Sequence, residues 1–191
     1  MMKKGSSNKR LERGAGVYSG TFTNYFIVLI IIIIGIAIIA VLPTKVLLAC
    51  DYKTGEYYKS WRIKDGDNFT VEYTHSVQLT PVTETYNIDG YNIILKETTF
   101  KSYGAGLPST TPYKFEITGN GFRIYDIDEI MDYFVYRTGA ERANHKLIYG
   151  NKDYEFLSFS KPRSGVQLKI IRTKIFSHII REGFNWKRKN E

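Results

Sequence analysis

From Tyr25 to Leu42 the sequence reads YFIVLIIIIIGIAIIAVL, and no charged residue occurs between Arg13 and Lys45. At about 1.5 Å per residue such a run spans about 27 Å as a helix, close to the roughly 30 Å hydrocarbon core of a bilayer. A core helix of a soluble domain keeps a polar stripe for solvent, and this run has none. It therefore predicts a transmembrane helix, taken with its flanks as residues 22–43. Phe22, Tyr25 and Phe26 stand where interfacial aromatics belong, and Pro43 marks the exit. Phe26–Leu42 carries no ionisable or amide side chain, which makes it an anchor rather than a conduit. Gly35, Ala37 and Ala40 form no small-xxx-small repeat, so a single-pass helix without a pairing face is expected.

Lys3, Lys4, Lys9, Arg10 and Arg13 precede the run, whereas only Lys45, Lys53 and Lys59 lie close behind it. The positive-inside bias then places residues 1–20, a Gly/Ser/Lys/Arg-rich tail, in the cytoplasm and the rest outside. A cleaved signal peptide would have a shorter apolar core and a small-x-small site after it. Leu47-Leu48-Ala49-Cys50 resembles a lipobox, but Pro43 and Lys45 separate it from the apolar run and Leu48 is an unusual penultimate residue. A plain juxtamembrane cysteine is the preferred reading. As the only cysteine, Cys50 has no disulfide partner in the chain. The net charge of +8 is concentrated near the start: residues 1–45 contribute +5 and the other 146 only +3. That near-balance argues against a nucleic-acid partner and leaves the lipid bilayer as the partner the charge pattern implies.

The part after the helix reads as mostly β: a single antiparallel β domain, sandwich or barrel-like, over residues 52–175, with a basic amphipathic tail over 176–191. Tyr, Phe, Thr, Ile and Val fill its runs, punctuated at Lys64–Asp67, Asp89-Gly90, Gly119–Gly121 and Gly150–Lys152. Asp126–Asp132 is read as a short helix or loop with a solvated acidic face, since its acids lack the spacing of a calcium loop. For Lys169–Lys189 a final strand over 166–175 ending in a frayed basic tail competes with an amphipathic helix lying in the membrane interface.

The most informative stretch of the β domain runs from Tyr73 to Pro108, because it puts ionisable residues on an apolar face. Phe69, Val71, Tyr73, His75 and Val77 alternate onto one side, as do Val82, Glu84, Tyr86 and Ile88. A hairpin around Leu79-Thr80 would set His75 opposite Glu84, and a two-residue turn at Asp89-Gly90 would set Glu84 opposite Leu95 and Val82 opposite Glu97. His75, Glu84 and Glu97 then converge, with Lys101 continuing the row and Tyr103, Gly104 and Gly106 in a loop that closes over that end.

Two readings of this cluster compete. In the favoured one it is a hydrogen-bonded network that pins the register. In the other it binds a small polar or anionic ligand through His75, Glu84, Glu97, Lys101, Tyr103, Gly104 and Gly106. Ser76 is excluded as a nucleophile served by His75, since neighbours in a strand face opposite ways. No catalytic residue, metal-ligand set or cofactor is assigned.

Trp61-Arg-Ile with Asp65-Gly-Asp-Asn-Phe69, Tyr73-Thr-His-Ser-Val77 with Thr80-Pro-Val-Thr-Glu84, and Glu97 through Gly104-Ala-Gly-Leu-Pro108 resemble the uncharacterised prokaryotic family called domain of unknown function 1850. Members are small membrane-associated proteins, often encoded beside tripartite ATP-independent periplasmic transporters. The resemblance implies a membrane-anchored extracytoplasmic accessory or binding module with transporter subunits as partners, and it supplies no catalytic residues. The alternative is a metal-dependent or hydrolytic surface enzyme using His75, Glu84 and Glu97.

Overall fold

The computed structural model describes residues 19–101, 111–139 and 143–190, with 19–23 and 185–190 as backbone only. The chain divides into two compact units, one ending at Val41 and the other beginning at Leu42. The first contains α1 (Ser19–Val41). Its stretch Asn24–Val41 is long and apolar enough to cross a membrane and none of it is buried, as befits a membrane anchor or a signal sequence.

The second unit is mostly antiparallel β. In chain order it comprises β1 (Pro43–Asp51), β2 (Tyr57–Arg62), β3 (Asn68–Thr74), β4 (Pro81–Asp89), β5 (Asn92–Phe100), β6 (Lys114–Thr118), β7 (Gly121–Met131), β8 (Tyr133–Arg137), β9 (Lys146–Tyr149), β10 (Lys152–Glu155), α2 (Phe156–Phe159), β11 (Gly165–Lys174) and α3 (Ile175–Asn190). The strands form a four-stranded sheet, β2-β1-β11-β8, and a seven-stranded sheet, β10-β9-β3-β4-β5-β7-β6. Their facing sides supply the core. Leu47, Ala49, Trp61, Val166 and Leu168 come from the first, Phe69, Val71, Tyr86, Ile88, Ile93 and Leu147 from the second, and Phe156 and Phe159 of α2 join them. A smaller cluster of Val82, Phe100, Ile124 and Ile127 continues the core under β7.

The β domain begins at Pro43, earlier than the boundary expected at residue 52, because β1 is a central strand. Val46 to Cys50 are buried on both faces of it, and β1 pairs with β11 along its whole length and with β2 on its other side. The lipobox-like tetrad is therefore core: Cys50 is 2% exposed, its thiol lies 3.4 Å from Gln167 Oε1, and burial raises its pKa.

The acidic run expected as a helix or loop is strand, most of it in β7. Leu95 pairs with Glu129 and Glu97 with Tyr125, so Asp126, Ile127 and Asp128 bulge opposite the single residue Lys96. Asp126 and Asp128 take φ of 53° each, which Asp tolerates better than most residues. The bulge turns them toward bases on neighbouring strands: Lys114 Nζ lies 2.6 Å from Asp126 and Lys96 pairs with Asp128. At the other end of the chain, β11 is the expected final strand, and it runs directly into the helix α3 rather than into a frayed tail.

Candidate functional site

The hairpin that was to bring His75 against Glu84 has a different register. Val71 stands opposite Glu84 and Tyr73 opposite Val82, because the connection is the wide turn 75–80 rather than a tight one. His75 caps this turn. Its backbone N–H donates to Thr80 O at 2.9 Å and its carbonyl accepts from Leu79 N, while its Nδ1 accepts from the amides of Val77 and Gln78 at 3.3 and 3.2 Å. An imidazole occupied in this way organises a turn and does not face Glu84.

Glu97 is removed by the bulge. Tyr86 pairs with Leu95 and Thr85 with Glu97, leaving Lys96 unpaired. One extra residue moves everything beyond it to the opposite face, so Glu97 shares a side with Thr85 and not with Glu84. There it accepts from Arg123 Nε and Nη2 at 2.9 and 2.5 Å. Lys101 is exposed just past β5, and Tyr103, Gly104 and Gly106 lie outside the described residues. The predicted convergence of His75, Glu84 and Glu97 thus does not form, and the enzyme alternative built on it loses its geometry. No group of His, Cys, Asp or Glu suited to hold a metal occurs among the described residues.

Glu84 does face the core, and it has other company. Tyr73 Oη donates to its Oε1 at 3.2 Å, Tyr86 Oη to its Oε2 at 2.9 Å, and Tyr136 Oη also reaches Oε2. Tyr86 and Tyr136 oxygens are 2.8 Å apart. Because Tyr136 belongs to β8, the carboxylate ties the seven-stranded sheet to the four-stranded one. Burial and the adjacent carboxylate raise the pKa of all three phenols, which stay protonated as donors. His145 packs on the same rings. It stacks on Tyr73 at 5.3 Å and lies 5.4 and 5.6 Å from Tyr136 and Phe156, and burial lowers its pKa to about 4. Tyr136 and His145 were invisible to strand-pairing arguments because both come from beyond the meander.

The same strand carries a second feature on its other face. With Tyr136 pointing into the sandwich, Val135 and Arg137 point out and help line a cleft of about 670 Å³. Tyr52, Val135 and Gly165 contribute apolar surface, and Lys53, Arg137, Lys161 and Arg163 contribute positive charge. Gly165 sits tightly here: a Cβ would meet Tyr52 and Val135 side chains at 3.2 and 3.3 Å. Asp51, the cleft's acidic residue, is engaged elsewhere: it accepts from Lys53 N and Thr54 N at 2.9 Å each and from Tyr58 Oη at 2.9 Å. The turn amide of Thr54, foremost, lowers its pKa. Lys161 is paired with Glu56 at 2.6 Å; among the described residues Lys53, Arg137 and Arg163 form no ion pair. The loop 161–164 that brings Lys161 and Arg163 in is held to the end of β8 by Thr138 Oγ1, which donates within 3.0 Å of Lys161 O and 3.1 Å of Ser164 O.

The β unit thus holds a carboxylate-centred tyrosine network between its two sheets and a basic cleft on the outer side of β8. Residues 69–156 match the family model of the domain of unknown function DUF1850. The matched span contains Tyr73, Glu84, Tyr86, Tyr136 and His145 in full. No curated protein and no solved structure matches the chain.

Proposed function

We propose that this protein is a membrane-anchored accessory module whose extracytoplasmic β domain binds a small organic anion beside a secondary transporter. The observation that carries the reading is the cleft bounded by Tyr52, Val135 and Gly165 and ringed by Lys53, Arg137, Lys161 and Arg163. Apolar surface with a basic rim suits a ligand that has a carbon skeleton and one or more carboxylates. The cleft lies at the Asp51 end of β1, about 26 Å along that strand from Pro43, so it opens far from the point where the chain leaves α1. The five bases before α1 support a cytoplasmic N-terminus and an outward-facing domain. The transporter association rests on the family resemblance. In this reading the Glu84 network is a positioning device: it fastens Tyr136, and with it the strand that carries Val135 and Arg137.

The test is calorimetric titration of the detergent-solubilised chain with a panel of small mono-, di- and tricarboxylates. The expected result is saturable binding by at least one member, weakened about tenfold or more when Arg137 and Lys53 are both changed to Glu. Equal binding by wild type and the charge-reversed variant would overturn the cleft as the site.

A further inference from the structure

Helix α3 is amphipathic in the reverse sense from a helix that packs on its own domain. Its polar side faces the four-stranded sheet. Glu182 accepts from Ser60 N at 2.8 Å and from Tyr57 Oη and pairs with Lys59 at 3.0 Å, His178 Nδ1 lies 2.9 Å from Ser60 Oγ, and Arg181 lies over the Tyr57 ring at 5.8 Å. Its apolar side faces away: Phe176, Ile179, Ile180 and Phe184 are 57, 59, 40 and 69% exposed. Their spacing puts them on one stripe of the helix. A domain that spends its polar contacts on holding a helix and turns four large apolar side chains outward has prepared a surface for something apolar.

The position of α3 says what that is. Its first residue, Ile175, donates its backbone N–H to Leu42 O at 3.1 Å, and Lys174 pairs with Pro43 in the sheet. Leu42 comes directly after Val41, the last residue of the apolar helix α1. If α1 spans a bilayer, α3 begins where the chain emerges from it. The charge agrees. Residues 175–190 hold Arg181, Lys187, Arg188 and Lys189 against Glu182 alone, a net +3, and a second cleft of about 520 Å³ at this end gathers Lys45, Arg62, Lys64 and Arg172 around Pro43. Of these, Lys45 is paired with Asp65.

We infer that α3 is an interfacial helix: its Phe176/Ile179/Ile180/Phe184 face lies in the headgroup boundary of the membrane that α1 spans, with the surrounding bases on lipid phosphates. This rests on the anchoring reading of α1. It gives the β domain a second attachment beside the covalent one, so that the domain is held at the surface in one orientation.

The test uses the full chain reconstituted in vesicles of phosphatidylcholine with phosphatidylglycerol, in a Cys50→Ala background, with an environment-sensitive fluorophore on one introduced cysteine at a time. Ile179→Cys and Phe184→Cys report on α3, Ile33→Cys on α1 and Val77→Cys on the 75–80 turn; all four positions are exposed, so labelling does not disturb the core. Lipids carrying a nitroxide near the headgroup are expected to remove more than about half of the emission at 179 and 184 and little at 77, while nitroxides deep in the acyl chain quench 33. Quenching at 33 with 179 and 184 behaving like 77 would overturn the interfacial helix and leave the anchor standing. No quenching at 33 would remove the anchor and the inference together. A blue-shifted signal at 179 that ignores the quencher lipids and disappears on dilution would assign the face to a second copy of the chain and would also overturn the inference.

Discussion

His145 gives the domain an acid-sensitive core whose effect can be calculated. The ring is 9% exposed and sits among Tyr73, Tyr136 and Phe156, so burial disfavours the imidazolium and brings its pKa down to about 4 from the ordinary 6.5. Between those values the unfolded chain binds the proton and the folded chain does not. Stability is therefore complete above about pH 6.5, falls as the pH drops, and reaches the full loss below about pH 4. Going from about pH 7 to about pH 4.5 should cost about 2 kcal/mol from this residue alone. Carboxylates and His178, whose pKa is also lowered by burial, add their own slopes, so the comparison must be differential. Replacing His145 with Phe keeps an aromatic ring against the same neighbours and removes the titration. Urea unfolding of the detergent-solubilised protein, monitored by loss of the β signal across this pH range, should give a wild-type curve that falls about 2 kcal/mol further than that of the His145→Phe variant. Parallel curves would show that His145 takes up its proton as readily folded as unfolded, and the account of its burial would be wrong.

Removing one phenol from the Glu84 network should be measurable in the same assay: Tyr136→Phe is expected to cost about 1–2 kcal/mol, and Glu84→Ala, which leaves three donors without their acceptor, about 2–4 kcal/mol. Equal, near-zero losses in both would mean the network does not join the sheets. His75→Ala deletes the acceptor for the Val77 and Gln78 amides, with an expected loss of about 1 kcal/mol and faster hydrogen exchange at those two amides; unchanged exchange would refute the capping role. At Gly121, where φ is +139° and a Cβ would come within 2.3 Å of Phe100 O, Ala should cost more than about 2 kcal/mol or shift the β5–β7 pairing, seen as lost protection at Phe122.

The features legible in the chain before its structure divide along the range of the interactions. The apolar helix and the turns at 64–67, 119–121 and 150–152 depend on a few adjacent residues, and they stand where the sequence predicts them; the turn expected at Asp89-Gly90 falls one residue later, with Asp89 paired to Asn92. The face assignment of Val71, Tyr73, Val82, Glu84 and Tyr86 also survives, since alternation does not depend on register. The register does not survive. A six-residue turn capped by His75 slides β3 against β4, and the bulge at Lys96 sends Glu97 outward to Arg123. Both are small differences in connection length that local preference cannot resolve, yet each moves a charged side chain to a new neighbour or a new face.

The membrane-spanning length, the β character and the presence of a carboxylate on an otherwise apolar strand face were thus determined by the sequence alone, because each arises from composition or from a period of two. Who meets that carboxylate was decided only by the tertiary structure: Tyr136 arrives from the other sheet, 52 residues along the chain. The same is true of α3. Its sequence announces an amphipathic helix, but only the packing of Glu182 and His178 against β2 decides that the apolar side faces out, since a helix can bury either face and the partner's chemistry makes the choice.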